Sequence, residues 1–239
     1  LPVDEYGLVR IEDLKAAIRP DTCLITIMFA NNEIGTIQPV AEIGRIAREN
    51  KIIFHTDAVQ AAGHEPIDVQ SMNIDMLSMS AHKFYGPKGV GALYVRKGVR
   101  FDNLMFGGAQ ERNKRPGTDN VPGIVGMAKA LEMACEHMEE NNLRLLEMRN
   151  RLKEGIMNTI PDVRLNGHEL KRLSNNLNFS FSYIEGEALL LSLDLRGIAG
   201  SSGSACTSGS LDPSHVLLAI GLKHETAHGS LRLTIGDAT

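Results

Sequence analysis

Apolar and polar positions change period in short blocks along the first half of the chain. Residues 23–29 form a short run rich in β-formers. Val40, Ile43, Ile46 and Ala47 then recur at helical spacing, with Pro39 placed for a first turn, so residues 39–50 read as an amphipathic helix. Residues 52–55 return to a strand that ends at Asp57. Residues 74–79 read as a third strand and 90–95 as a fourth. Strand, helix, strand in this order predicts an α/β fold with a mostly parallel, doubly wound sheet.

A polar, glycine-rich loop over residues 107–118 interrupts this pattern. Beyond it, Leu131, Cys135, Met138, Leu145, Leu152 and Ile156 fall on one stripe, predicting a long helical region over residues 121–160 packed against a core. Asn166-Gly167 signals a turn. Residues 176–183 alternate as a half-buried strand, residues 186–195 and 214–220 read as short amphipathic helices, and residues 230–235 as a last strand. The expected organisation is a partial large domain over residues 1–120, a linking helix over 121–160 and a smaller α+β domain over 161–239.

Composition narrows the classes. Hydrophobic residues make up 43% of the 239, enough for a sizeable core. A net charge of −4 leaves no basic footprint for nucleic acid. No apolar run reaches the ~18 residues of a membrane span. The start has no signal-like pattern and no initiator methionine. The three cysteines are far apart, with no C-x-x-C pair or histidine-rich tract, which argues against a metal site and fits a reducing, cytoplasmic setting. Tryptophan is absent, against base-stacking platforms.

Candidate chemistry gathers where strands end. Ser80-Ala81-His82-Lys83 follows the third strand and precedes the tight turn Tyr85-Gly86-Pro87-Lys88-Gly89. It delivers a hydroxyl, an imidazole and an amine where open α/β sheets put ligand sites. A lysine in such company suits a Schiff base with pyridoxal 5'-phosphate (PLP); the plainer reading is a polar loop capping a strand. Asp57 ends the preceding strand and can hold a pyridinium nitrogen protonated, or it N-caps a following helix. Gln60 can reach the ring's phenolic oxygen. Asn31-Asn32 can bond a cofactor or substrate oxygen, or form a turn. In the loop Ser201-Ser202-Gly203-Ser204-Ala205-Cys206-Thr207-Ser208-Gly209-Ser210, a cysteine stands among small residues. Its thiol is expected to be exposed and able to move, unless the stretch is a linker. Arg232, on the last strand, is either a surface charge or a fork for a carboxylate.

These residues resemble the cysteine desulfurase family, the NifS/IscS-like PLP enzymes of the class-V aminotransferase group. The resemblance rests on Asn-Asn-Glu-Ile-Gly, His-Thr-Asp-Ala-Val-Gln, Ser-Ala-His-Lys-Phe-Tyr-Gly-Pro-Lys-Gly, Gln-Glu-Arg then Arg-Pro-Gly-Thr, Ser-Ser-Gly-Ser-Ala-Cys-Thr-Ser and Ser-Leu-Arg-Leu, in the family's order. It implies a fold-type-I PLP transferase, with a PLP-binding large domain and a smaller α+β domain carrying the cysteine loop. It implies that Lys83 forms the Schiff base and then acts as base at the substrate Cα. Asp57 would pair with the pyridine nitrogen and Gln60 with the phenolic oxygen. Ser80 and His82 would bind the phosphate, and Thr118 a phosphate across a homodimer interface. Asn32 and Arg232 would hold substrate and cofactor oxygens, with Arg232 on the carboxylate, and Cys206 would be the nucleophile.

The implied reaction converts L-cysteine to L-alanine and leaves a persulfide on Cys206. That sulfur would pass to an acceptor protein such as an iron–sulfur scaffold. The other readings are a selenocysteine lyase or related PLP lyase, and an inactive fragment or a sulfur-carrier or assembly module. Measured against the family, the chain is expected to be N- and C-terminally incomplete. The first strand, a phosphate loop and a ring-stacking histidine belong to the family's missing first part.

Overall fold

The computed structural model describes residues 1–203 and 213–239. Along the chain the elements are α1 (Ile11–Ala17), β1 (Leu24–Thr26), α2 (Val40–Glu49), β2 (Ile53–Asp57) and β3 (Met76–Ser80). A one-turn 3-10 helix (Ala81–Phe84), β4 (Gly91–Val95), α3 (Gln110–Asn113), α4 (Val121–Glu136) and α5 (Met138–Thr159) follow. The last are β5 (Val163–Leu165), β6 (Asn176–Phe181), α6 (Gly186–Asp194), α7 (His215–Ala219), α8 (His224–His228) and β7 (Ser230–Thr234). Among the described residues no helix is long and apolar enough to cross a membrane.

Two compact units emerge, and both are discontinuous in sequence. One comprises Thr22–Ile27 and Val40–Glu136; the other comprises Leu1–Asp21, Met28–Pro39 and His137–Thr239. The contiguous domains expected from the sequence divide the chain differently: the first 21 residues belong with the C-terminal part. The expected single helix over 121–160 is two helices, interrupted at His137, whose φ/ψ of −102°/8° caps α5.

The first unit is built on a four-stranded sheet in the order β1-β2-β3-β4. β1, β2 and β3 run parallel and β4 is antiparallel to β3. Helix α2 forms because Val40, Ile43, Ile46 and Ala47 make one buried stripe. Gly44 on that face lets the Met72 carbonyl approach; a Cβ there would collide with it. At the far end of the sheet, Asp75 accepts the Phe54 N–H at 2.9 Å and pairs with Arg96 at 3.3 Å. This ties the start of β3 to β2 and to the end of β4.

The second unit carries the antiparallel sheet β5-β6-β7. β6 was expected to be half-buried, yet all six of its residues are buried. Leu177, Phe179 and Phe181 pack with Leu152 and Ile156 of α5, Leu189 and Leu190 of α6, and Leu231 of β7. Its polar face is buried as well and is held by hydrogen bonds, although Asn176 Oδ1 and Asn166 Oδ1 have no partner among the described residues. Asn166 Nδ2 donates to Asn178 Oδ1 and Ser180 Oγ, both at 2.8 Å, and Asn178 Nδ2 donates to the Glu33 carbonyl at 3.1 Å. The polar alternation thus marks an internal network rather than a solvated face. Cys135, expected on a core stripe, is exposed.

Candidate active site

In the parallel-sheet unit the candidate residues lie at the C-terminal ends of neighbouring strands. Asp57 is the last residue of β2 and stands in register with Ser78 of β3. Ser80, two residues further along β3, is therefore roughly 8 Å from Asp57 between Cα atoms, given strand spacing and rise. Asp57 Oδ1 accepts the Val59 N–H at 2.9 Å. The bond closes a turn and not a helix N-terminus, because among the described residues no helix lies between β2 and β3. No basic side chain pairs with the carboxylate among the described residues. Gln60 is half-buried in the turn that follows.

The turn holding Lys83 is set by what surrounds it. Ala81 and Phe84 are 0% and 2% exposed, and pack with Ala62 and with Met127 of α4. Between them His82 and Lys83 are exposed. Burying the first and fourth residues of one 3-10 turn leaves the second and third facing out. Tyr85 closes the turn in the left-handed region at φ 64°, and Gly86 N–H returns to the Ala81 carbonyl at 2.9 Å. The Ser80 hydroxyl and His82 Nδ1 share a hydrogen bond of 2.8 Å. Hydroxyl, imidazole and amine are thus presented by one rigid corner.

A residue the sequence reading passed over lies beneath them. His55 precedes Asp57 by two on the same face of β2, and both its ring nitrogens are engaged. Nδ1 meets Thr26 Oγ1 at 2.7 Å on β1, and Nε2 meets Ser78 Oγ at 2.9 Å on β3. Burial lowers its pKa below the usual 6.5, against a smaller opposing pull from Asp57. It is therefore a neutral polar rung under the carboxylate. The period-two alternation of His55 and Asp57 was the available signal.

The other unit assembles a second group. Arg232 on β7 is half-buried; its Nε donates to Ser201 Oγ at 3.0 Å and its Nη1 to the Asn32 carbonyl at 3.1 Å. Its backbone also bridges Ser201. The guanidinium is fixed on one side, and Nη2 has no partner among the described residues. Asn31 and Asn32 divide the roles between them. Asn31 Oδ1 accepts the N–H groups of Glu33 and Ile34 at 2.9 and 3.0 Å and so forms the turn, while the Asn32 amide makes no hydrogen bond among the described residues. Ser201, which orients Arg232, was read only as part of the loop.

Thr118 lies in the exposed stretch before α4 and makes no hydrogen bond to the other candidates among the described residues. Cys206 lies outside the described residues. Among the described residues no cluster of His, Cys, Asp and Glu suits a metal ion.

The Aminotransferase class-V family pattern matches residues 1–238. A protein named cysteine desulfurase IscS, from Methanosarcina thermophila, is 63% identical over 236 residues, covering 99% of this chain and 58% of that protein. A solved structure of a NifS-like protein is 41% identical with a TM-score of 0.89, covering 98% of this chain and 61% of that one. A structure titled "SspA in complex with cysteine" is 40% identical with a TM-score of 0.82, covering 98% and 65%. The chain spans less than two thirds of the length of each of these relatives. The α/β fold expected from the sequence is the fold these structures have. With the family pattern matched from end to end over that fold, the chain belongs to the class-V aminotransferase family.

Proposed function

We propose that the protein is a PLP-dependent cysteine desulfurase. What carries this reading is the corner at the end of β3, where Lys83 is held out beside the Ser80–His82 pair and one strand away from Asp57. The donor set fits PLP: an amine for its aldehyde, hydroxyl and imidazole for its phosphate, and a carboxylate without a basic partner for its ring nitrogen. The names of the relatives support the same chemistry. Bound there, PLP would supply an electron sink that labilises bonds at the substrate's Cα and Cβ.

The chain's own residues would do the rest. Asp57 would keep the ring nitrogen protonated, and neutral His55 beneath it would leave that negative charge uncompensated. Gln60 and Asn32 would bond cofactor and substrate oxygens. Arg232, already turned by Ser201 and Asn32, would offer Nη2 to the carboxylate of L-cysteine. Lys83 Nζ would take the Cα proton and return a proton to the product. The Cys206 thiolate would attack the substrate sulfur. The sulfur–carbon bond breaks with its electron pair left on carbon, which takes a proton to give L-alanine. Sulfur then remains on Cys206 as a persulfide, balanced without an external oxidant.

The protein would act as a homodimer in the cytoplasm and pass sulfur to an acceptor such as an iron–sulfur scaffold. Exposed Leu104, Phe106, Val121 and Val125 flank the loop of Thr118, and support a dimer in which Thr118 reaches the partner's phosphate. Free, exposed Cys23 and Cys135 suit a reducing compartment.

Two substitutions test the reading. Lys83→Ala should abolish the Schiff-base absorbance, and Cys206→Ala should abolish alanine formation from L-cysteine. A protein that keeps alanine formation after Cys206→Ala would be a lyase instead.

A further inference from the structure

We infer that Asn178 is a positioning residue for the substrate's carboxylate: standing directly opposite Arg232, it fixes the turn whose Asn32 carbonyl orients the guanidinium. The inference rests on the reading of Arg232 as the group that meets that carboxylate. Asn178 of β6 and Arg232 of β7 are paired in register on antiparallel strands, so their side chains leave the same face about 5 Å apart. Each reaches a carbonyl of the turn that holds Asn32, and the two carbonyls are consecutive. Arg232 Nη1 donates to the Asn32 carbonyl and Asn178 Nδ2 to the Glu33 carbonyl, both at 3.1 Å. Asn176 Nδ2, from the same face of β6, adds a further donor to the Glu33 carbonyl at 3.3 Å.

The direction of these bonds is forced. A carbonyl can only accept, so Asn178 must turn its Nδ2 to Glu33. Its Oδ1 is then left for Asn166, whose Nδ2 donates to it and to Ser180 Oγ, both at 2.8 Å. Asn166 keeps this orientation although its own Oδ1 has no partner among the described residues. Asn166 and Asn178 are both 0% exposed, so bulk water does not compete for the amides. A buried amide held at both ends has one orientation, and it imposes that on the backbone it grips.

The turn is closed from within by Asn31, whose Oδ1 accepts the Glu33 and Ile34 N–H groups at 2.9 and 3.0 Å and whose carbonyl accepts the Gly35 N–H at 3.0 Å. Asn178 ties the Glu33 peptide of that turn to the strand beside Arg232. With Ser201 Oγ on Nε at 3.0 Å, the plane of the guanidinium then depends on where the Asn32 carbonyl stands. Arg232 Nη2 and the Asn32 side-chain amide, which have no partner among the described residues, lie to either side of that bond. Asn178 therefore sets the spacing of the groups left to meet a carboxylate. A displacement of about 1 Å is enough to spoil such a grip.

The test uses the cofactor-loaded protein, with sulfide release from L-cysteine under a thiol reductant as the reporter. L-alanine and L-alaninamide compete for the site and differ at the carboxylate alone. In Asn178→Leu, which cannot donate to Glu33, the inhibition constant of L-alanine should rise about tenfold, while that of L-alaninamide stays within about twofold. Asn178→Ser should do the same with less disturbance of the core: its hydroxyl keeps a polar group in the buried network but ends one bond short of the Glu33 carbonyl. Ser180→Ala removes another partner of Asn166 from the same strand face without touching the turn, and should change neither constant. Hydrogen exchange at the Glu33 and Ile34 amides should quicken about tenfold in both Asn178 variants and not in Ser180→Ala. An unchanged constant for L-alanine, an equal loss for L-alaninamide, or a Ser180→Ala protein as impaired as the Asn178 variants would overturn the inference. A parent protein that binds L-alanine no better than L-alaninamide would instead overturn the assignment of Arg232, and the exchange comparison would still decide whether Asn178 holds the turn.

Discussion

Arg232 Nη1 donates to the backbone carbonyl of Asn32 across 3.1 Å, joining two residues that are 200 positions apart. With Ser201 on Nε, this leaves the outer edge of the guanidinium to meet a ligand. A lysine at this position would have a single ammonium for the same tasks and no fork. Arg232→Lys should therefore raise KM for L-cysteine about tenfold to a hundredfold, the worth of one or two charge-assisted hydrogen bonds. The cofactor spectrum should not change. Steady-state alanine production at varied cysteine checks this.

Phe84 places Lys83 by being buried. Phe84→Ala should cost about 3–5 kcal/mol of stability, as for other buried aromatics cut to alanine. It should also loosen the turn between Ala81 and Tyr85, so cofactor affinity should fall along with stability. Denaturant melts of the protein, with and without added cofactor, separate the two effects.

His55 gives the stability a pH dependence with a definite sign. Its folded pKa lies below its ordinary 6.5 because burial opposes the charged form. Below about pH 6.5 the unfolded chain binds a proton at this site that the folded chain does not, so stability falls as pH drops. The contribution is fully present above pH 6.5 and is lost on the way down to the folded pKa. His55→Gln should flatten this slope while keeping a polar group between Thr26 and Ser78. Denaturant midpoints measured on either side of about pH 6.5 would settle it; an equal slope in both proteins would mean that another group titrates.

Much of the architecture was legible because local patterns and tertiary packing agree. The stripe of Val40, Ile43, Ile46 and Ala47 is the buried face of α2, and β2 and β3 end at Asp57 and Ser80, where the strand pattern placed the candidate residues. The reading failed where burial and polarity part company. Asn176, Asn178 and Ser180 looked solvated, but their partners Asn166 and Glu33 are distant in sequence and no short window contains them. Cys135 looked like core because its neighbours are apolar, yet it lies on the outer side of α4. The break at His137 carries no proline or glycine and left no signal. Ser201, His55 and Glu33 were unremarked for the same reason: their partners are brought to them by topology.

The central claim is that Cys206 takes the substrate's sulfur. A single turnover of the protein with L-cysteine, followed by mass analysis of the Cys206 peptide and a count of alanine, addresses it directly. The account predicts one persulfide on Cys206 for each alanine formed. Alanine released together with free sulfide, before any persulfide forms on Cys206, would contradict it.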